Sequence, residues 1–372
     1  MTSSAFIAHV LDPLIDPQFA EQDLLFDKTF TNSDDQIHRD HLRGIKRTTT
    51  YGLDWAGDKL LVATKDNNLR LFDPERDSEA ERSWPGEWMA VECDPNDPHI
   101  AAAVSWTGKF LVFDSRAPSS SAIFNVDLKE TGPNLKEFLV LCWAPDSKHI
   151  AVNNRQDQVY LLDLRQPGSL RLGASKNMAH EVNGMVWTTE GDALWIATGG
   201  TPGKIHALPA PSLQNEGAMA VTAHQYAAIS LAADPTGKYI ASGGGDCLVT
   251  LWDPKHLVCT RSFGYATQAV TTLGFNHAGS LLAWGTGGSG AGGGEKNLTI
   301  VGANTGNLCW QDATPVPVQQ LKWHRKRNTL AYTLGVSQQP EERDRRMISS
   351  HSSRDSRDSR DSAVVHIMRM PE

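Results

Sequence analysis

With 372 residues, 40% of them hydrophobic and 21% charged, the chain has the composition of a soluble globular protein with a sizeable core, long enough for two average domains or one large ring. A formal net charge of -8 argues against a protein that wraps nucleic acid by its own field, because phosphate affinity rests on clustered Lys and Arg. The five cysteines, Cys93, Cys142, Cys247, Cys259 and Cys309, are odd in number and contain no C-x-x-C pair. They read as small core residues in a reducing compartment, with no zinc site or disulfide framework expected. No apolar run reaches the ~18 residues of a membrane span, and MTSSAFIAHVLDPLID lacks the basic flank of a signal peptide, so an intracellular protein without membrane contact is expected.

In chain order, residues 1–39 read as an N-terminal extension, partly disordered, and residues 40–372 as a repeat array. The units are YGLDWAGDKLLVATKDNNLRLFD from Tyr51, MAVECDPNDPHIAAAVSWTGKFLVFD from Met89, LVLCWAPDSKHIAVNNRQDQVYLLD from Leu139 and VNGMVWTTEGDALWIATGGTPGKIHAL from Val182. They continue with AISLAADPTGKYIASGGGDCLVTLWD from Ala228, VTTLGFNHAGSLLAWGT from Val270 and VQQLKWHRKRNTLAYTLG from Val318, which makes seven. Each holds an apolar strand, a Pro/Asp/Gly turn, a second strand, a polar turn and a third strand. The residues closing the first strands, Trp55, Cys93, Trp143, Trp187, Ala233, Phe275 and Trp323, are about 45 apart on average, the spacing of propeller blades. Short alternating strands at that interval predict an all-β, seven-bladed β-propeller, whose ring removes long free edges. Almost nothing follows the last third strand, AVVHIMRM at Ala363 to Met370, so its outer partner is expected from HLRGIKRTTT, His41 to Thr50, an N-terminal strand that closes the ring.

Two insertions fall between second and third strands, at 285–296 and 335–362, and are expected as flexible loops on one face. The first, GTGGSGAGGG, matches G-x-G-x-x-G but runs into another β stretch instead of a helix, so a glycine linker is the better reading than a dinucleotide site. The second ends SSRDSRDSRDS and balances its arginines with acids, the composition of a disordered and phosphorylatable tract. WHRKR at Trp323 to Arg327 is the densest basic cluster and reads as a solvated turn. NLT at Asn297 fits a glycosylation pattern that has no meaning without secretion.

The stretch SGGGDCLVTLWD, Ser242 to Asp253, carries most of the pattern's information. Its glycines suit a turn that needs positive φ or a sharp reversal. His224, Ser242, Asp246 and Trp252 resemble the His-Ser/Thr-Trp-Asp tetrad of the WD40 repeat family, complete only in the fifth unit, and a structural tetrad is expected because a satisfied polar network fixes blade packing. The rival reading is a His224–Asp246 catalytic dyad, for which no nucleophile stands at motif spacing. No H-E-x-x-H, G-x-S-x-G or P-loop pattern occurs, so no catalytic, cofactor or metal site is expected. Trp106, in SWTGK, and Arg155 are candidate protein-interaction residues, since Trp is enriched at binding hot spots.

PTGKYIASGGGDCLVTLWDPKHLVCTRSF, Pro235 to Phe263, followed by VTTLGFNHAGSLLAW and by GNLCW with VQQLKWHRKRNTLAY, resembles the WD40 subunit of the THO complex, part of the TREX assembly. CWAPDSKHIAV with Asp157, and HEVNGMVW at His180, are similar to the third and fourth blades of that family. The resemblance implies a non-enzymatic nuclear scaffold, bound to other THO/TREX subunits, especially a large helical one, that acts in transcription-coupled mRNP assembly and mRNA export. It would meet the mRNP indirectly and take no small-molecule substrate. Two other readings remain open at this level. FDSR at Phe113 to Arg116 and LDLR at Leu162 to Arg165 approach the W-D-x-R ending of WD40 substrate receptors of cullin ubiquitin ligases, and Trp106 could stack on RNA bases in a nuclear scaffold that binds RNA directly.

Overall fold

A computed structural model describes residues 38–42, 49–76, 80–130, 132, 134–166, 169–287, 295–335 and 365–371. The N-terminal extension before residue 38, most of the glycine run (288–294) and the serine-arginine-aspartate tract (336–364) lie outside the described residues.

Seven four-stranded antiparallel sheets follow one another along the chain, the blades of a propeller. Blade 1 begins with Thr50–Ala56, blade 2 with Trp88–Cys93, blade 3 with Phe138–Trp143 and blade 4 with Val182–Trp187. Blade 5 runs through Ala228–Ala233, Ile240–Gly244, Val249–Asp253 and Val258–Phe263, and blades 6 and 7 begin with Val270–Phe275 and Val318–Trp323. Each first strand pairs with the second through the same irregularity, as between Ala228 and Ser230 or Val318 and Gln320. A bulge at this point sharpens the local twist.

The outer strand of blade 7 is N-terminal, as expected, but it is His38–His41 instead of the stretch from His41 to Thr50. It pairs antiparallel with Val365–Arg369, aligning His38 with Arg369 and His41 with His366. Leu42 then donates its N–H to the carbonyl of Val365 at 3.1 Å. Apolar side chains decide the limit: Leu42 is buried with Leu53, Trp55 and Ile367 at the junction with blade 1.

The core lies between blades, not within them. In blade 5, Ala241, Val249 and Leu251 pack toward blade 6 with Phe275 and Trp284, while Ile240 and Trp252 pack toward blade 4 with Trp195 and Ile205. Successive strand residues point to opposite faces, so a strand flanked on both sides reads as continuous apolar sequence.

The first-strand tryptophans join blades to one another. Trp143, Trp187, Trp323 and Trp55 donate their indole N–H to the carbonyls of Glu92, Cys142, Gly274 and Lys322, at 2.9, 3.3, 2.9 and 3.0 Å, each on the first strand of the preceding blade. The last of these crosses the ring closure. Cys93, Ala233 and Phe275 have no indole to make that bond.

Candidate interaction face

In a meandering blade the second-to-third turns and the connections between blades share one face, called top here. Near that face His224, at the end of the outer strand of blade 4, meets Ser242, Asp246 and Trp252 of blade 5, the four residues expected to act together. His224 contacts Asp246 Oδ1 through Nδ1 at 2.9 Å and Ser242 Oγ through Nε2 at 2.8 Å. Trp252 donates its indole N–H to the same Oγ at 2.9 Å, and Thr250 Oγ1 lies 2.7 Å from it. Asp246 also accepts N–H bonds from Gln225 and Leu248. Burial alone would raise the Asp246 carboxyl, but the hydrogen bond and charge of His224 with these two donors outweigh it and hold the group below the usual carboxylate range.

The geometry supplies a hydroxyl on the far side of the imidazole, which spacing in the sequence did not reveal, and the order Asp-His-Ser is that of a hydrolase triad. Access excludes that chemistry. Ser242 has 0% exposure, its oxygen already receives the Trp252 N–H, and no substrate carbonyl could approach it.

The neighbouring blades explain why Gly244 stands beside this network. At the aligned position blades 1, 2, 3, 4 and 6 carry Thr64, Ser105, Asn154, Thr198 and Thr286. Each side chain ties its own turn, as Thr198 Oγ1 does to the Lys204 carbonyl and Ser105 Oγ to the Lys109 N–H. In blade 5 a Cβ on Gly244 would lie 2.3 Å from His224 Nδ1 and 2.5 Å from Asp246 Oδ1. The tetrad therefore replaces the local tie and needs the glycine for room. The expectation that the glycines supply positive φ is corrected: the left-handed residue of this turn is Cys247, at φ 65°.

Trp106 and Arg155 lie in top-face turns of blades 2 and 3, and the structure brings them together. The Arg155 guanidinium carbon stands 5.8 Å from the centroid of the Trp106 ring, within cation–π range. Beside Trp106, at the junction of blades 1 and 2, a recess of about 370 Å³ is walled by Tyr51, Trp88, Met89 and Trp106, with Lys65 and Glu87 at its lining. The recess is assembled from four separate stretches of chain, which hides it from a reading along the sequence.

On the opposite face the WHRKR turn is not solvated throughout, which corrects that expectation. His324 is 4% exposed and contacts Asp58 at 3.1 Å. Arg325 reaches blade 2, donating to the carbonyls of Cys93, at 2.7 Å, and Asp94. Lys322 Nζ lies 3.5 Å from Glu92 Oε1, and Arg325 lies 3.8 Å from Asp54 Oδ2. Asp54 Oδ2 in turn accepts the Cys93 N–H at 2.7 Å. These charges bind blades 7, 1 and 2 where the first strand of blade 2 closes on Cys93 instead of a tryptophan. Burial pushes the Glu92 carboxyl up despite Lys322. For Lys322, burial alone would lower the ammonium, but Asp54 and Glu92 together raise it.

Other expectations change locally. Cys93 and Cys142 are buried and burial pushes their thiols well up, whereas Cys259 is exposed and is no core residue. Gly285 and Thr286 belong to the strand Leu281–Thr286, so the glycine run begins inside blade 6. Asn297 is 6% exposed and bonded to Thr286. Arg116 and Arg165 fold back onto Asp114 and Asp163, at 2.7 and 2.5 Å, and these bonds hold both carboxyls low.

Among the described residues no group of three or more His, Cys, Asp or Glu could hold a metal ion.

Comparison with known proteins agrees with this geometry. The family description WD40: WD domain, G-beta repeat matches residues 218–253, the stretch that spans all four tetrad residues. The chain is 29% identical over 282 residues to THO complex subunit 3 of Arabidopsis thaliana, covering 74% of this chain and 82% of that protein. It is 29% identical over 137 residues to WD repeat-containing protein AAC3 of Dictyostelium discoideum, covering 36% of this chain and 28% of that one. Among solved structures, the β-propeller domain of Cps50 (Swd1) from Myceliophteria thermophila superposes with a TM-score of 0.66 at 14% identity, over 90% of this chain and all of that one. The similarity to a WD40 subunit of the THO complex and the seven-bladed all-β fold, both expected from the sequence, are borne out.

Proposed function

We propose that this WD40 propeller is a scaffold subunit of a THO complex, acting in the nucleus in transcription-coupled mRNP assembly and mRNA export. The observation that carries the reading is the similarity to THO complex subunit 3, which runs through 74% of the chain and so covers most of the ring instead of one repeat. A propeller suits the role physically: rigid blades present turns from several units on one face, and partners dock on those turns without chemistry by the scaffold. Its partners on this reading are the other THO/TREX subunits, a large helical one above all, with the mRNP met indirectly. Affinity purification of the tagged chain from nuclei, read by mass spectrometry, tests it. Recovery of the other THO subunits in stoichiometric amounts is expected. A clean nuclear preparation that lacks them, or one that returns a cullin-ligase adaptor in their place, overturns it.

A further inference from the structure

The recess between blades 1 and 2 is the feature of the top face that its own fold does not explain. Its walls offer the π faces of Tyr51, Trp88 and Trp106, and the Trp88 indole N–H is already given to the Trp84 carbonyl at 2.9 Å. At its lining stand an ammonium, Lys65, and a carboxylate, Glu87, both exposed and neither side chain paired among the described residues. Two free charges of opposite sign beside aromatic walls describe the complement of a guest that carries both signs and one flat cation. From this we propose that the recess receives the arginine side chain of an extended partner segment in which the arginine adjoins an aspartate or glutamate.

The guanidinium is planar, stacks on aromatic faces and presents its N–H groups as a fork to a carboxylate. In the recess its faces lie against Trp106 and Tyr51 while its edge meets Glu87, and the adjoining acid meets Lys65. The fold already contains the same contact nearby, since Arg155, which does not line the recess, holds its guanidinium over Trp106. At about 370 Å³ the recess falls within the range of specific ligand sites. Single-stranded RNA fits less well. Its bases could stack, but its phosphates carry one sign only, and Glu87 and the net charge of -8 oppose them.

The inference rests on the scaffold reading only in naming a protein partner, and its test stands apart from that reading. Fluorescein-labelled GSGRDGSG is titrated against the purified full-length chain and followed by anisotropy. Saturable binding is expected, weakened tenfold or more by Trp106→Ala and by Glu87→Gln, and equally by citrulline in place of the peptide's arginine. Lys65→Glu should weaken it as well, and a probe with lysine in place of aspartate should recover affinity for that variant. Unchanged melting of each variant excludes misfolding as the cause. Absence of saturable binding below about 1 mM, or affinities within twofold across the variants, overturns the proposal. So does a labelled oligouridine whose binding depends on Trp106 while the peptide's does not. If Trp106→Ala abolishes peptide binding yet still copurifies with THO subunits, the recess serves another partner and the scaffold reading stands.

Discussion

Ser242→Ala is the most direct perturbation of the tetrad, because one oxygen serves three partners. Its removal strips acceptor or donor from His224 Nε2, Thr250 Oγ1 and the Trp252 indole, which lie 2.8, 2.7 and 2.9 Å away. His224, Thr250 and Trp252 are all buried, so water cannot replace the lost contacts without entering the blade. At about 1 kcal/mol for each net hydrogen bond, with more for any group left unpaired, the loss comes to about 3 kcal/mol. An exposed Ser→Ala change stays within about 0.5 kcal/mol. Urea unfolding gives the overall loss, and hydrogen exchange on peptides covering Ile240–Gly244 and Val249–Asp253 localises it to blade 5. In a double-mutant cycle with Trp252→Phe, the two changes should couple and not add. A loss below about 1 kcal/mol with unaltered exchange in those strands would refute the account, since the three groups would then have found other partners.

Gly244→Ala should destabilise by about 1–3 kcal/mol, the range for overpacking, because the added methyl meets His224 and Asp246 at 2.3 and 2.5 Å. A melting temperature within about 1 °C of the parent would contradict this account of the glycine. Glu92→Gln tests the charges that join blades 7, 1 and 2. Because the folded carboxyl of Glu92 is raised above its ordinary value near 4.5, its protonated form is favoured by the fold. Its contribution is therefore full below that value and falls as pH rises through the raised one. The stability of the parent relative to the glutamine variant should decline over that window in a series of urea titrations, and a flat difference would remove the pKa argument.

The sequence made the inner part of each blade legible and left the outer part obscure, for a physical reason. Second and third strands are covered on both sides, so their apolar runs repeat visibly, as in LVTLW. The fourth strands form the rim and carry few buried residues. Val258–Phe263 is buried only at Phe263, and Met219–His224 only at His224. Their polar composition resembles that of loops, which is why the closing strand at His38–His41 was placed three residues too late. The tetrad could be found because its members keep fixed distances along one unit. The recess and the Asp54–Glu92–Lys322–Arg325 group could not, since each draws on turns or strands from different blades and sequence separation conceals their proximity. WHRKR was misread for the same reason: its acidic and carbonyl partners lie more than 200 residues earlier.

The pairing of His38–His41 with Val365–Arg369 imposes an order on biosynthesis. Of the strands of the ring, the one that finishes blade 7 is made first and its partner last. Roughly 320 residues separate them, which at 5–20 residues per second amounts to about 15 to 65 s of waiting. Blades 1 to 6 draw all their strands from contiguous sequence and can assemble while the chain grows. The first strand of blade 1 meanwhile has no blade 7 to cover it, so Leu53 and Trp55 remain open to water or chaperone until blade 7 has been made.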